Sequence, residues 1–430
     1  MAKEEAESLH LREENQRLQR AVEELSILNE ISTSINSSQS LNQILESTIK
    51  KCLRLMHAEQ GAIMLLDEKK TEKAFHTMVR KGDTSSQTLP YHLDTTLTGW
   101  MLKNQQPLNV PDLQHDERFR IPGSADFPVH SLLSVPLLAK GRMIGLLTLF
   151  NKKGGECFND GDQRLLSIIA SQSAQVMENA RLLEKEKTLL HVQQELKLAW
   201  EIQTNLLPAE PPKVDGYDIA GRSIPAKEVG GDYFDFIPVR DNRLMFCLGD
   251  VSGKGIPAAL LMANLQAIIR SQVPVCTELT QGLALANNLL FHNTSPEKFA
   301  TLFFGCLEPA RHRIHFANAG HPPALRFSAS GMERLAAGGV ALGCLENVSF
   351  QEAEITLNPG DLVVVYSDGV SEAMNVAGEE FGEKRLIESV RGLRGRPAAE
   401  IIAGIVSDAA RFSGDMPQFD DMTLVVVQRK

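Results

Sequence analysis

Residues 243–256 read RLMFCLGDVSGKGI, and residues 361–372 read DLVVVYSDGVSE. In each, an apolar run of strand length ends on an aspartate, Asp250 or Asp368, beside a glycine-containing turn. Asp232 follows two glycines in VGGDYFD, and Asp420 stands just before the last apolar run in FDDMTLVVV. Acidic residues therefore recur at strand ends beside flexible turns, where loops converge on one edge of a rigid sheet. A single Asp beside Gly is more often ordinary turn chemistry than a ligand. Four in one segment, each abutting an apolar strand, shift that balance toward a shared site. Hard divalent cations such as Mg²⁺ and Mn²⁺ take oxygen ligands and keep several waters. A pair of them clamps a phosphoryl group and supplies hydroxide near neutral pH. No Cys or His pairing at zinc spacing competes with this reading.

Two look-alike motifs fail on their own chemistry. GDVSGKGIP has the flavour of a phosphate-binding P-loop, yet three residues separate Gly249 from Gly253, and no Ser or Thr follows Lys254. GGDYF is close to the GG[DE]EF signature of nucleotide cyclases, but Tyr233 replaces the carboxylate that signature uses.

The remainder of residues 213–430 carries further short apolar runs, among them FATLFFGCLE. Helix-like stretches, PAALLMANLQAIIRSQ, ELTQGLALANNLLFHN and AAEIIAGIVSDAARF, lie between them. Strands interspersed with helices predict sheets packed against helices, an α+β layered domain. Upstream, residues 37–180 read as an α/β domain. LNQILESTIKKCLRLM has helical spacing, GAIMLLD and KAFHTMVRKG are strand-like, and Lys140-Gly141 separates two apolar strands as a hairpin turn. No Gly or Pro occurs between Asp162 and Pro208, and Leu182, Leu189 and Leu196 repeat by seven. That pattern predicts a long connector helix or coiled coil over residues 181–212, ended by Pro208, Pro211 and Pro212. Residues 1–36 repeat Leu11, Leu18 and Leu25 with Asn15 and Asn29 on the same seam, as in a dimeric coiled coil.

The chain has 430 residues, long enough for two or three domains. A net charge of -10 argues against a dominant nucleic-acid role, which needs clustered Lys and Arg. The charged N-terminus lacks the apolar core of a signal peptide, and no apolar run approaches membrane-spanning length. Six scattered cysteines without a CxxC pair, mostly in apolar runs, read as buried free thiols in a reducing cytoplasm.

Taken together, AKEVGGDYFDF, GDVSGKGIPAALLM, FATLFFGCLE, NAGHPPALR, GDLVVVYSDGVSEAMN with EFG, and DDMTLVVV resemble the bacterial SpoIIE/RsbU-type phosphatases, in order and in spacing. These are a branch of the PPM metal-dependent protein serine/threonine phosphatases, whose domain is an α/β sandwich. The resemblance implies that Asp232 and Asp250 hold a pair of Mn²⁺ or Mg²⁺ ions, with Asp250 bridging. It implies an oxygen from the backbone carbonyl of Val251, and Asp368 and Asp420 completing the shell of one ion. The nucleophile would be the metal-bridging water, attacking phosphoserine or phosphothreonine, with no further catalytic side chain. Asp421 stands where relatives outside this branch carry Asn, so either Asp420 or Asp421 is open as the ligand, with Asp420 favoured. His321, between Gly320 and Pro322, reads as a structural loop residue and Lys254 as a solvated one. The substrate class implied is a phosphorylated STAS-domain anti-sigma-factor antagonist of a partner-switching pathway.

Residues 95–120 and the hairpin SLLSVPLLAKGRMIGLLTLFNK resemble GAF sensory domains. Asn151, Lys152, Phe158 and Asp162 fit most of the NKFDE pattern of cyclic-nucleotide-binding GAF domains, and Gln163 departs from it. A Lys152–Asp162 salt bridge is expected as a structural feature, and the GAF ligand is left unassigned. The expected architecture is an α+β multidomain chain: coiled-coil helix 1–36, GAF sensor 37–180, helical linker 181–212 and phosphatase domain 213–430. It is expected to be a cytoplasmic parallel homodimer, regulated by its sensor and an upstream activator, with no nucleic-acid or membrane partner. The competing expectation is a non-catalytic pseudophosphatase or GAF scaffold.

Overall fold

The computed structural model describes residues 40–66, 75–82, 95–113, 115–119, 129–272, 278–295 and 297–430, with position 14. The coiled coil expected over residues 1–36 lies outside them. The chain divides into two compact units, Met1–Leu190 and His191–Lys430.

In the first unit, α1 (Leu41–Leu55) opens on a capping box. The Ser40 hydroxyl accepts from the Gln43 amide while the Gln43 side chain reaches back to the Ser40 amide. β1 (Ala58–Leu66), β2 (Phe75–Gly82), α2 (Thr95–Asn104), β3 (Leu108–Val110), β4 (Leu132–Ala139) and β5 (Arg142–Lys152) follow. The strands form one sheet in the order β2-β1-β5-β4-β3. β4 and β5 are joined by the expected two-residue turn, with Lys140 and Gly141 both at positive φ, 50° and 77°. One face packs Leu147 and Leu149 against Leu45 and Ile49 of α1, and against Leu166 and Ile169 of α3 (Asp160–Thr204). Lys152 Nζ meets Asp162 Oδ2 at 2.7 Å, as expected. Asp162 also accepts from the Asn159 amide at 2.9 Å, so this pair secures the start of α3.

α3 is 45 residues long and stops at Thr204, just before the proline cluster. Its apolar residues are covered as far as Met177. Beyond that, Leu182, Leu189 and Val192 are 43%, 58% and 49% exposed, while Leu196 of the same heptad repeat is partly buried.

The second unit contains β6 (Tyr217–Ile224), β7 (Tyr233–Val239), β8 (Arg243–Val251), α4 (Ile256–Gln272), α5 (Leu279–Asn293), β9 (Ala300–Glu308), β10 (Arg313–Ala319) and β11 (Ala324–Ser328). Next come β12 (Gly331–Leu335), β13 (Gly338–Gly339), β14 (Ala353–Thr356), β15 (Leu362–Tyr366), α6 (Asp368–Ser371), α7 (Gly382–Leu393), α8 (Ala398–Ser413) and β16 (Met422–Arg429). One sheet runs β13-β10-β9-β8-β7, with β14 also on β10, and the other runs β12-β11-β15-β16-β6.

The period-2 alternation of each strand builds the layers. Phe234, Phe236, Phe246 and Leu248 point into the core between the sheets, where they meet Val363, Val365, Val425 and Val427. Their neighbours Tyr233, Ile237, Met245 and Cys247 point the other way, against α4 and α5. Leu362, Val364, Leu424 and Val426 likewise face α7 and α8. Strands buried on both faces explain why these runs read as continuously apolar. The result is a four-layer sandwich, helices outside two sheets. Among the described cysteines, Cys52, Cys247 and Cys306 are buried free thiols, whereas Cys157 and Cys344 are exposed, a departure from the expected burial. Among the described residues, no helix is long and apolar enough to cross a membrane.

Candidate metal centre

Antiparallel register gathers the aspartates from distant parts of the chain. Tyr233 of β7 pairs with Gly249 of β8, so Asp232 and Asp250 stand one residue further toward the same end. In the other sheet Tyr366 of β15 pairs with Leu424 of β16, which puts the end of β15 beside the start of β16. Asp368 opens α6 immediately after β15, and Asp420 and Asp421 immediately precede β16. The two strand-end pairs meet at one edge of the sandwich.

Asp421 ties them together. Its Oδ1 accepts from the Ala226 amide at 2.7 Å, and its Oδ2 accepts from the Gly231 amide at 2.6 Å and the Asp232 amide at 3.4 Å. This explains the glycines of VGGD. A Cβ on Gly230 would collide with Asp421 Oδ2, and one on Gly231 would lie 3.2 Å from the Val251 carbonyl oxygen and 3.3 Å from Asp250 Oδ1. Gly369 plays the same part on the other sheet, where a Cβ would collide with the backbone carbonyl of Asp421. Close backbone approach requires glycine at Gly369, the Asp421 carboxylate leaves no room for a side chain at Gly230, and Gly231 is crowded.

The carboxylates repel one another. Asp232 is buried at 4% exposure, and its Oδ2 has no hydrogen-bond partner. Burial, and then the charge of Asp250, push its carboxyl well above the ordinary range, opposed by the Thr423 and Ser367 hydroxyls. Burial first, then Asp368 and Asp420, push Asp250 up to about 7. Asp368 is raised by burial and by Asp420. Asp420 is bound differently: its Oδ2 lies 2.8 Å from Lys254 Nζ, and its Oδ1 accepts from the Asp421 amide at 3.0 Å. Lys254, read from sequence as solvated, is exposed, and it also sets its ammonium against this cluster and donates to the Phe419 carbonyl at 2.8 Å.

These residues fit a divalent cation. The donors are hard oxygens, one of them is a buried orphan, and burial with mutual repulsion makes three carboxyls harder to ionise unless a cation is present. As placed, no three Asp, Glu, His or Cys side chains among the described residues close around one point. Two of the acidic residues have other partners. Asp421 is turned to backbone amides, and Lys254 already neutralises Asp420.

His321 sits behind the site. Its Nδ1 is 2.9 Å from Thr301 Oγ1, and Asn318 brackets its backbone, accepting from the His321 amide at 2.7 Å and donating to its carbonyl at 2.8 Å. Burial lowers its imidazole to about 3, so it is neutral at physiological pH and serves as packing between β9 and β10. Two further polar features carried no sequence signal. Asp235 is fully buried and forms a bidentate pair with Arg270, at 2.7 and 2.9 Å, while also accepting from the Tyr233 hydroxyl at 2.7 Å. Gln203, in the last turn of α3, donates to the Gly230 carbonyl at 2.7 Å and accepts from the Gly230 amide at 3.0 Å.

A helix-flanked two-sheet sandwich with an acidic cluster at one edge is the frame of a phosphoester hydrolase that works with divalent cations. The family model for Stage II sporulation protein E (SpoIIE) matches residues 240–430, and the GAF domain model matches residues 38–178. Phosphoserine phosphatase RsbU of Bacillus subtilis is 30% identical over 255 residues, covering 57% of this chain and 75% of the relative. Phosphoserine phosphatase RsbP of the same organism is 31% identical over 194 residues, covering 43% of this chain and 46% of the relative. This chain therefore spans three quarters of the first and under half of the second. The SiaA-PP2C domain of Pseudomonas aeruginosa aligns with a TM-score of 0.50 at 21% identity, covering 56% of this chain and 98% of that one, a likeness of fold. The chain belongs to the SpoIIE/RsbU-type PPM protein serine/threonine phosphatases, with a GAF domain ahead of the phosphatase domain.

Proposed function

We propose that this phosphatase removes phosphate from phosphoserine or phosphothreonine in a protein substrate. In this reading two Mn²⁺ or Mg²⁺ ions are held by Asp232, Asp250, the Val251 carbonyl, Asp368 and Asp420. The observation that carries it is the buried, unpartnered Asp232 Oδ2 beside an Asp250 carboxyl raised to about 7. Carboxylates held this close are unfavourable unless a cation neutralises them. Asp420 is assigned rather than Asp421: both Asp421 oxygens accept from backbone amides that hold the Asp232 turn, whereas Asp420 Oδ2 is held only by the half-exposed Lys254 ammonium, which a cation can displace.

Bound divalent ions supply Lewis-acid stabilisation of phosphoryl oxygens and a nucleophile available near neutral pH. The chain's own residues set the frame. Asp421 and the Gly230–Gly231 turn fix the backbone of Asp232, Gly369 lets α6 approach β16, and Lys254 brings a positive charge to the rim. Lys254 is thereby placed to meet a phosphate oxygen when it leaves Asp420. p-Nitrophenyl phosphate hydrolysis with Mn²⁺ tests the reading. Asp250→Asn and Asp368→Asn should each lose nearly all activity, and activity surviving both substitutions would sink it.

The regulation is read from α3. Its exposed Leu182, Leu189 and Val192 support a parallel homodimer in which the GAF domain acts on the phosphatase domain through the helix. The protein substrate is assigned to the STAS-domain anti-sigma-factor antagonists of partner-switching pathways, in the cytoplasm and with an upstream activator. Capture of a phosphorylated partner by the Asp250→Asn form tests the substrate. Light scattering on the Leu189→Asp, Leu196→Asp form tests the dimer, and an unchanged mass would refute it.

A further inference from the structure

The turn that presents Asp232 is held from two sides. On one side, Asp421 accepts from the amides of Gly231 and Asp232. On the other, a single side chain takes both backbone groups of Gly230: Gln203 donates to its carbonyl and accepts from its amide. Gln203 is 9% exposed although it lies on a helix whose neighbouring residues are largely solvated. A primary amide presents a donor nitrogen and an acceptor oxygen side by side, in the manner of a strand neighbour, and Asn is the other side chain that carries this group. Asn is one methylene shorter. The helix end that carries Gln203 is itself anchored, since Gln266 of α4 donates to the Leu206 carbonyl at 3.3 Å and Leu207 packs into the core.

From this geometry we infer that Gln203 is a positioning residue for Asp232: its paired hydrogen bonds to Gly230 hold the turn so that the Asp232 carboxylate faces the cation site. The inference rests on the metal reading above. The Gly230 amide and carbonyl belong to the two peptide planes that flank its Cα, so neither plane can rotate without breaking one of the bonds to Gln203, and Gly230 is two residues from the carboxylate. As a glycine it has no side chain of its own to resist that rotation. Residues that orient a metal ligand without touching the metal typically change affinity by about 10- to 100-fold when replaced.

The test is Mn²⁺ titration calorimetry on the full chain, comparing wild type, Gln203→Met and Asp250→Asn. Met keeps the length and volume but neither hydrogen bond. We expect Gln203→Met to bind Mn²⁺ at least about 10-fold more weakly, with its thermal transition in EDTA still cooperative. Binding within twofold of wild type would overturn the inference. If the Met form does not fold, Gln203→Glu retains the acceptor for the Gly230 amide, and its affinity is read by the same criterion. Wild type that fails to bind Mn²⁺, or Asp250→Asn that binds it as well as wild type, would refute the metal reading instead.

Discussion

Replacing Asp250 by Asn should make the metal-free protein more stable, by an amount that grows as pH rises from about 4 to about 7. Burial and the charges of Asp368 and Asp420 raise this carboxyl from 3.8 to about 7. A raised carboxyl means the folded chain holds a proton that the unfolded chain has already released. Its contribution to stability is therefore complete below about pH 4 and is lost as pH rises through about 7. A rise of that size corresponds to about 4 kcal/mol at roughly 1.4 kcal/mol per pH unit. Because the group is coupled to its neighbours and keeps some contact with solvent, about 2–4 kcal/mol is the expected cost at pH 8. Asn keeps the shape and cannot ionise. In EDTA at pH 8, urea unfolding of the phosphatase unit should show Asp250→Asn more stable by that amount. At pH 4.5 the difference should fall to about a quarter of its value at pH 8. Adding Mn²⁺ at pH 8 should reverse the order, because only the wild type gains the cation. A difference that does not change with pH, or a wild type that is the more stable at pH 8 in EDTA, would refute the electrostatic reasoning.

Three other substitutions probe the frame. Asp421→Ala leaves the Ala226 and Gly231 amides without their acceptor and should cost about 2–4 kcal/mol in urea unfolding, with relief of repulsion at Asp232 offsetting part. Arg270→Ala strands the fully buried Asp235; with Arg270 half exposed, the loss should be about 2–4 kcal/mol, read from the denaturation midpoint. His321→Asn should leave the pH–rate profile between about pH 5 and 9 unchanged in shape, since burial already holds the imidazole near 3; loss of an inflection near neutrality would return His321 to the chemistry.

Much was legible in the chain itself. Apolar runs ending at Asp250 and Asp368 marked strands and where they stop, because strand burial and turn chemistry are local properties. The hairpin at Lys140-Gly141 and the unbroken helix up to the proline cluster were visible for the same reason. Motif order was enough to mark the phosphatase family, since each motif is a contiguous stretch. The residue types and their spacing also pointed to hard-cation chemistry before any geometry was known.

Only the tertiary structure decided how those residues are used. The division of labour between Asp420 and Asp421 depends on which backbone amides lie within reach, and these come from residues nearly 200 positions away. Lys254 is solvated as its sequence setting suggests, and only the fold sets Asp420 beside it. The Asp235–Arg270 pair and the Gln203–Gly230 pair join residues 35 and 27 apart, with no pattern in the sequence to link them. Hydrogen bonds between distant segments are set by strand register and helix docking, which the chain specifies only collectively. The sequence determined that four aspartates stand at strand ends; folding determined which oxygens remain free there, because each free oxygen is what the surrounding backbone leaves unbound.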